Sequence, residues 1–139
     1  IASAITSIIY IIFFYFKINY LTLFLIFIFL LLISMYLINL LKNEFDEIDS
    51  KEIVIDEFLG QSVPILFFYV ILLEASVSLN FFVIIVLISF IGFRFFDILK
   101  PFPVSYFEKY NKNSFGIIMD DIMAGLYTIL IIYIISLKF

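Results

Sequence analysis

Five carboxylates stand in three short groups: Asp56 with Glu57, Asp97 alone, and Asp120 with Asp121. Arg94 lies three residues before Asp97 and Lys100 three residues after it. Adjacent or converging carboxylates repel one another unless a proton or a cation lies between them. Hard oxygen donors without histidine or cysteine suit Mg²⁺ or Mn²⁺ rather than zinc or copper. A guanidinium and an ammonium beside them suit a phosphate, the first as a planar fork and the second as a point charge. Such a set, if assembled, could hold a divalent cation against a phosphorylated ligand.

Absences narrow the chemistry. The chain contains no His and no Cys, so a histidine base, a phosphohistidine and a thiolate nucleophile are excluded. No glycine-rich phosphate loop of the nucleotide-hydrolase type is present. Metal-activated water or an attacking aspartate remains. No basic patch points to nucleic acid, and no nucleotide is expected as a partner.

The elements that carry these residues are strongly apolar. Some 65% of the 139 residues are hydrophobic, and most charges are confined to two stretches between apolar runs, so the net charge of -4 says little as an average. A chain this short cannot bury that much apolar surface in a water-facing fold. Five runs stand out: Ile1–Phe16, Leu21–Leu41, Phe58–Leu73, Phe81–Phe96 and Ile122–Leu137. A spanning helix needs about 20 apolar residues, with about 17 as the usual lower limit. The second run meets this outright, and flanking residues extend the others. Alternation of the β-barrel kind is missing. The expectation is an all-α, polytopic integral membrane bundle of about five transmembrane helices, two helical hairpins plus a C-terminal helix, forming one membrane domain over residues 1–139. The first run lacks a basic lead-in and a small-residue cleavage site, so it is not read as a cleaved signal peptide. The sequence begins at Ile1 rather than Met, and further residues are expected before it.

Short links at Lys17–Tyr20 and Glu74–Asn80 close the hairpins. The longer links, Lys42–Glu57 and Asp97–Asp121, then fall together at the opposite membrane face. That face carries Lys42, Lys51, Arg94, Lys100, Lys109 and Lys112, whereas the other carries Lys17 and Lys138. Basic residues near span ends favour the cytoplasm, so the acids are expected at the cytoplasmic surface. In the second long link an amphipathic piece is expected around Val104–Tyr110 and a polar turn at Asn111–Ser114.

Each cluster also has a plain structural explanation. Asp56 and Glu57 could simply complement a helix N-terminus, and Asp120 or Asp121 could cap one. Arg94 and Lys100 could snorkel to headgroups, and Arg94 could pair with Asp97 on one helix face. Pro101 should end that helix. Gly60, one turn beyond Asp56, and the Ala124-Gly125 pair, one turn beyond Asp120 and Asp121, would let neighbouring helices approach. The convergence of all three clusters on one face favours a site for a phosphorylated lipid.

The ordered set resembles the phosphatidylglycerophosphatase A family. The matching residues are Ile53-Val54-Ile55-Asp56-Glu57 with Gly60, then Phe93-Arg94-Phe95-Phe96-Asp97-Ile98 with Lys100-Pro101 and Pro103, then Gly116, Met119-Asp120-Asp121 and Ala124-Gly125. The resemblance covers about Asp49 to Tyr127. Ser50 replaces a proline that is usual in the family. The resemblance implies a Mg²⁺-dependent phosphatase of the bacterial inner membrane that converts phosphatidylglycerophosphate to phosphatidylglycerol. Asp56, Glu57, Asp120 and Asp121 are assigned to the metal. Asp97 is assigned as ligand or base, and Arg94 and Lys100 as phosphate contacts. Two competing expectations are another phospholipid-synthesis enzyme, whose usual D-x₂-D-G-x₂-A-R pattern is missing here, and a small transporter or accessory subunit with an acidic cation site. The transporter needs polar residues in mid-span, for which Ser34, Ser89 and Thr128 are the candidates.

Overall fold

The computed structural model describes residues 1–41, 54–102, 104–106 and 114–136. Asp49, Ile53, Pro103, most of the 104–110 piece and the turn at 111–113 lie outside the described residues, as do Lys42, Lys51, Lys109, Lys112 and Lys138. Among the described residues five helices follow in order: α1 Ala2–Tyr15, α2 Tyr20–Leu41, α3 Ile55–Glu74, α4 Leu79–Leu99 and α5 Ser114–Ser136. A helix is the form in which an apolar segment satisfies its backbone groups without water.

The helical membrane bundle matches expectation, with one refinement of length. Tyr20–Leu40, Ile55–Glu74, Leu79–Leu99 and Phe115–Ser136 are long and apolar enough to cross a bilayer. The described α1 has 14 residues.

Two helices start far enough ahead of their apolar runs to take in acids. The third begins at Ile55, so Asp56 and Glu57 occupy its first turn. The fifth begins at Ser114, about two turns before the run at Ile122. Asp120 and Asp121 therefore lie inside α5 rather than opening it, and both are buried. The reason is packing: Ile117 and Ile118 join Leu59 of α3 and Ile38 of α2 in one apolar cluster. That contact carries the helix back past the acids.

α3 is the central helix, packed most extensively on α5 and also against α1, α2 and α4. Between helices in lipid there is little hydrophobic driving force, so close fit and small residues hold the bundle. A Cβ at Gly60 would meet Asp121 Cβ and backbone O, each at 2.7 Å, and the Phe93 ring at 2.7 Å. A Cβ at Gly125 would meet the Gly60 carbonyl oxygen at 2.5 Å. Pro64, inside α3, contributes to this crossing. It has no N–H to offer the carbonyl four residues back, so the Gly60 oxygen lacks its usual helical donor and faces α5 instead. The Gly60 and Ala124-Gly125 faces expected from the sequence thus pack on one another.

The other end of the bundle is aromatic. Phe14 of α1 stacks on Phe82 of α4 at 4.0 Å, and Tyr69 of α3 meets both rings edge-on. The Tyr69 hydroxyl donates to Ile18 O at 2.7 Å, in the link just after α1, and lies 3.1 Å from Phe13 O, which also accepts the Ile18 N–H at 3.0 Å. This end holds the two short hairpin turns, so the three acid clusters share the opposite end, as the layout of links required.

Candidate active site

Three helices bring the acids together. On α3 and α5 the acid pairs are built alike. Asp56 Oδ1 accepts the N–H of Glu57 at 2.7 Å, and Asp120 Oδ1 accepts the N–H of Asp121 at 2.9 Å. Each first acid is thereby turned onto its own helix. Asp121 lies against the Gly60 crossing, where no larger residue on α3 would leave it room. The carboxylates of Asp56, Asp97 and Asp120 all act on it electrostatically. Carboxylates gathered in this way repel unless a proton or a cation lies between them.

The basic residues are threaded through this cluster. Arg94 Nη1 pairs with Glu57 Oε1 across the α3–α4 interface and with Asp97 Oδ2 at 3.0 Å on its own helix. Lys100 Nζ lies 3.2 Å from Asp120 Oδ2 of α5. The expected Arg94–Asp97 pair is present, but Arg94 also crosses to α3, which snorkelling alone would not require. Lys100 caps α4 in the left-handed region (φ 43°, ψ 57°), and its N–H still bonds to Phe96 O. The proline that follows disfavours the right-handed helical region at residue 100, so the helix stops there. Ending α4 in this way brings Lys100 to α5.

All seven residues singled out from the sequence, Asp56, Glu57, Arg94, Asp97, Lys100, Asp120 and Asp121, lie at this one end. Among the described residues no three acids form a ready-made metal-ligand set. Their oxygens are partly turned to Arg94 and Lys100 instead. The donor chemistry nevertheless fits a hard divalent cation: carboxylate oxygens from α3, α4 and α5 gathered at one end of the bundle.

Sequence reasoning missed the part of α1. The Ser3 N–H donates to Glu57 Oε2 at 3.2 Å, and Gln61 of α3 reaches Ser7. Ser3, Thr6, Ser7 and Tyr10 are all buried on one side of α1. Their helical spacing in an otherwise apolar run was the available signal. The role of Pro64 was missed as well, since its significance depends on which helix faces Gly60.

Fold and site together define a class: integral membrane helical bundles that gather acids and bases from several helices at one end of the bundle. Within that class, the chain belongs to the phosphatidylglycerophosphatase A family, whose sequence profile matches residues 1–136. A segment of 40 residues is 45% identical to the phosphatidylglycerophosphatase A of Haemophilus influenzae, covering 29% of this chain and 24% of that relative. The match thus spans about a quarter of the relative's length. No solved structure matches the chain.

Proposed function

We propose that this protein is a Mg²⁺-dependent lipid phosphatase that hydrolyses the terminal phosphomonoester of phosphatidylglycerophosphate, giving phosphatidylglycerol and phosphate. The observation that carries this reading is the interleaving of Arg94 and Lys100 with carboxylates from three helices at one end of a membrane bundle. Family membership and the name of the Haemophilus relative support the substrate.

In this reading Asp56, Glu57, Asp120 and Asp121 hold the metal, with Asp97 beside them as ligand or base. Mn²⁺ fits the same donors. When bound, such a cation supplies charge neutralisation on the transferred phosphoryl group. Arg94 and Lys100 turn from their carboxylate partners to the phosphate oxygens. Asp97 orients the attacking water and accepts its proton. The water oxygen bonds to phosphorus, the bond from phosphorus to the glycerol oxygen breaks, and that oxygen takes up a proton. The site opens at the bacterial inner membrane's cytoplasmic face, a reading supported by Arg94 and Lys100 lying at the end opposite Lys17.

The transporter alternative receives less support. Of its three candidates, Ser34 Oγ donates to Leu30 O and Thr128 Oγ1 to Ala124 O at 2.9 Å, so both serve their own helices, while Ser89 Oγ of α4 is buried with no hydrogen-bond partner among the described residues.

The test is purified protein in lipid nanodiscs with phosphatidylglycerophosphate, with and without Mg²⁺, alongside Asp97→Asn and Asp121→Asn. Phosphate release that requires Mg²⁺ and fails in both variants is expected. Release at an unchanged rate in the variants would remove these residues from the mechanism. A nucleotide by-product would favour a transferase, and cation flux without phosphate release a transporter.

A further inference from the structure

Gln61 lies one turn along α3 from Glu57, on the same helix face, and its residue is 0% exposed. Its Nε2 donates to Ser7 Oγ of α1 at 3.4 Å. Ser7 has already donated its one hydroxyl proton to Ser3 O at 2.9 Å. It therefore offers Gln61 a lone pair, and only an N–H can answer it. The other half of the amide, Oε1, is buried without a hydrogen-bond partner among the described residues. A buried, half-satisfied amide is less favourable than an apolar side chain of similar size, so packing does not account for glutamine here.

One turn nearer the site, the same two helices meet again. The Ser3 N–H donates to Glu57 Oε2, while Glu57 Oε1 takes Arg94. The two α1–α3 contacts are stacked along one face: Gln61 with Ser7, and Glu57 with Ser3. Losing the inner contact loosens the first turn of α1, and with it the N–H that fixes the Glu57 carboxylate.

We propose that Gln61 is a positioning residue for the phosphate contact: by holding Ser7 it seats the first turn of α1 on α3, so that Ser3 orients Glu57 and Glu57 orients Arg94. The proposal rests on the phosphatase reading only in taking the ligand of Arg94 to be a phosphate group. Gln61 acts through Arg94, so its loss weakens substrate binding rather than bond breaking.

The experiment uses the full chain in nanodiscs, with Gln61→Leu, Gln61→Glu and Ser7→Ala, and with Gln61→Leu also made beside Arg94→Gln. KM, kcat, orthophosphate affinity and thermal unfolding are measured for each. Gln61→Leu should raise KM roughly 3- to 10-fold, the loss of about one hydrogen bond's worth of positioning, with kcat little changed. Its unfolding temperature should hold or rise, because a half-satisfied amide has been removed. Gln61→Glu should be worse, since a carboxylate then faces the Ser7 lone pair, and Ser7→Ala should match Gln61→Leu in KM but unfold at a lower temperature, because it leaves the Gln61 amide buried without Ser7. Beside Arg94→Gln, Gln61→Leu should add nothing. Full multiplication of the two effects, or an unchanged KM and phosphate affinity, would overturn the proposal. If Gln61→Leu does not fold, Ser7→Ala beside Arg94→Gln decides the matter by the same criterion. If the unaltered protein releases no phosphate from phosphatidylglycerophosphate, the proposed function fails, and orthophosphate affinity alone then judges the coupling of Gln61 to Arg94.

Discussion

Arg94 bridges two acids on two helices, Glu57 of α3 and Asp97 of its own α4. Both pairs are made by one guanidinium nitrogen, Nη1, and the further N–H groups of the planar fork are what a lysine ammonium lacks. Arg94→Gln should leave two carboxylates facing each other at the α3–α4 interface. Removing one partner of a fully buried ion pair is strongly destabilising, but Arg94 is more than a third exposed. The expected loss is therefore smaller, about 1–2 kcal/mol. Mg²⁺ should restore part of it, and phosphate affinity should fall in either case. Thermal unfolding with and without Mg²⁺, and KM for the lipid phosphate, check this. Arg94→Lys should recover charge but only part of the affinity.

The gathering of Asp56, Asp97 and Asp120 around Asp121 predicts opposite changes in stability and activity. An asparagine at position 121 can donate a hydrogen bond to Asp97 and removes one charge from a buried cluster. Metal-free Asp121→Asn should therefore unfold at a higher temperature than the unaltered protein. Its phosphate release should fall by at least about 100-fold, the scale of losing a group that acts on the reacting water or its cation. Lower stability without metal would show that the cluster does not carry the repulsion inferred from its geometry.

Chelation gives a related outcome. Removing divalent cations should abolish phosphate release, and adding Mg²⁺ should restore it. Addition of Mg²⁺ should also raise the unfolding temperature of the unaltered protein but not of a Asp56→Asn, Asp121→Asn double variant. Differential scanning measurements in the same nanodiscs read both effects.

Gly125→Ala should damage the fold directly. The added carbon would sit 2.5 Å from the Gly60 carbonyl oxygen, a backbone atom that cannot swing aside. Relief requires α3 and α5 to separate, at a loss on the order of 1–3 kcal/mol or more. Gly60→Ala should do the same and also displace Asp121. The yield of folded protein and the unfolding temperature measure the damage.

Tyr69→Phe supplies a contrast at the far end. It keeps the aromatic packing but removes the hydroxyl that bonds to Phe13 and Ile18. Stability should fall by about 1 kcal/mol, because the Ile18 carbonyl loses its donor while Phe13 O keeps the Ile18 N–H. At temperatures where the variant stays folded, kcat and KM should match those of the unaltered protein.

Much of this was legible in the residues. The four long helices follow from apolar length, and the shared end of the acids follows from two short links alternating with two long ones. Gly60 and Ala124-Gly125 announced close approach, though not that they approach each other. The start of α5 was misplaced because Phe115 to Met119 form an apolar stretch of their own, separated from the main run by two acids. Hydropathy alone places a boundary at such a pair, whereas Ile117 and Ile118 carry the helix through it by packing on Leu59 and Ile38. Ser3 and Ser7 were signalled only by their helical spacing with Thr6 and Tyr10, and what they and Gln61 meet depends on which helix faces them.

The sequence by itself therefore determined the solvent, the helices and the end of the bundle at which its acids and bases gather. These depend on composition and on link length, which are properties of the chain read in one dimension. Only the tertiary structure decided who pairs with whom: Arg94 with Glu57 as well as Asp97, Lys100 with Asp120, Asp121 under Gly60, and α1 against Glu57 and Gln61. Those partnerships depend on the rotation of each helix about its axis and on how closely two helices can approach. Both are set by side chains far apart in sequence, through steric contacts that no single segment contains.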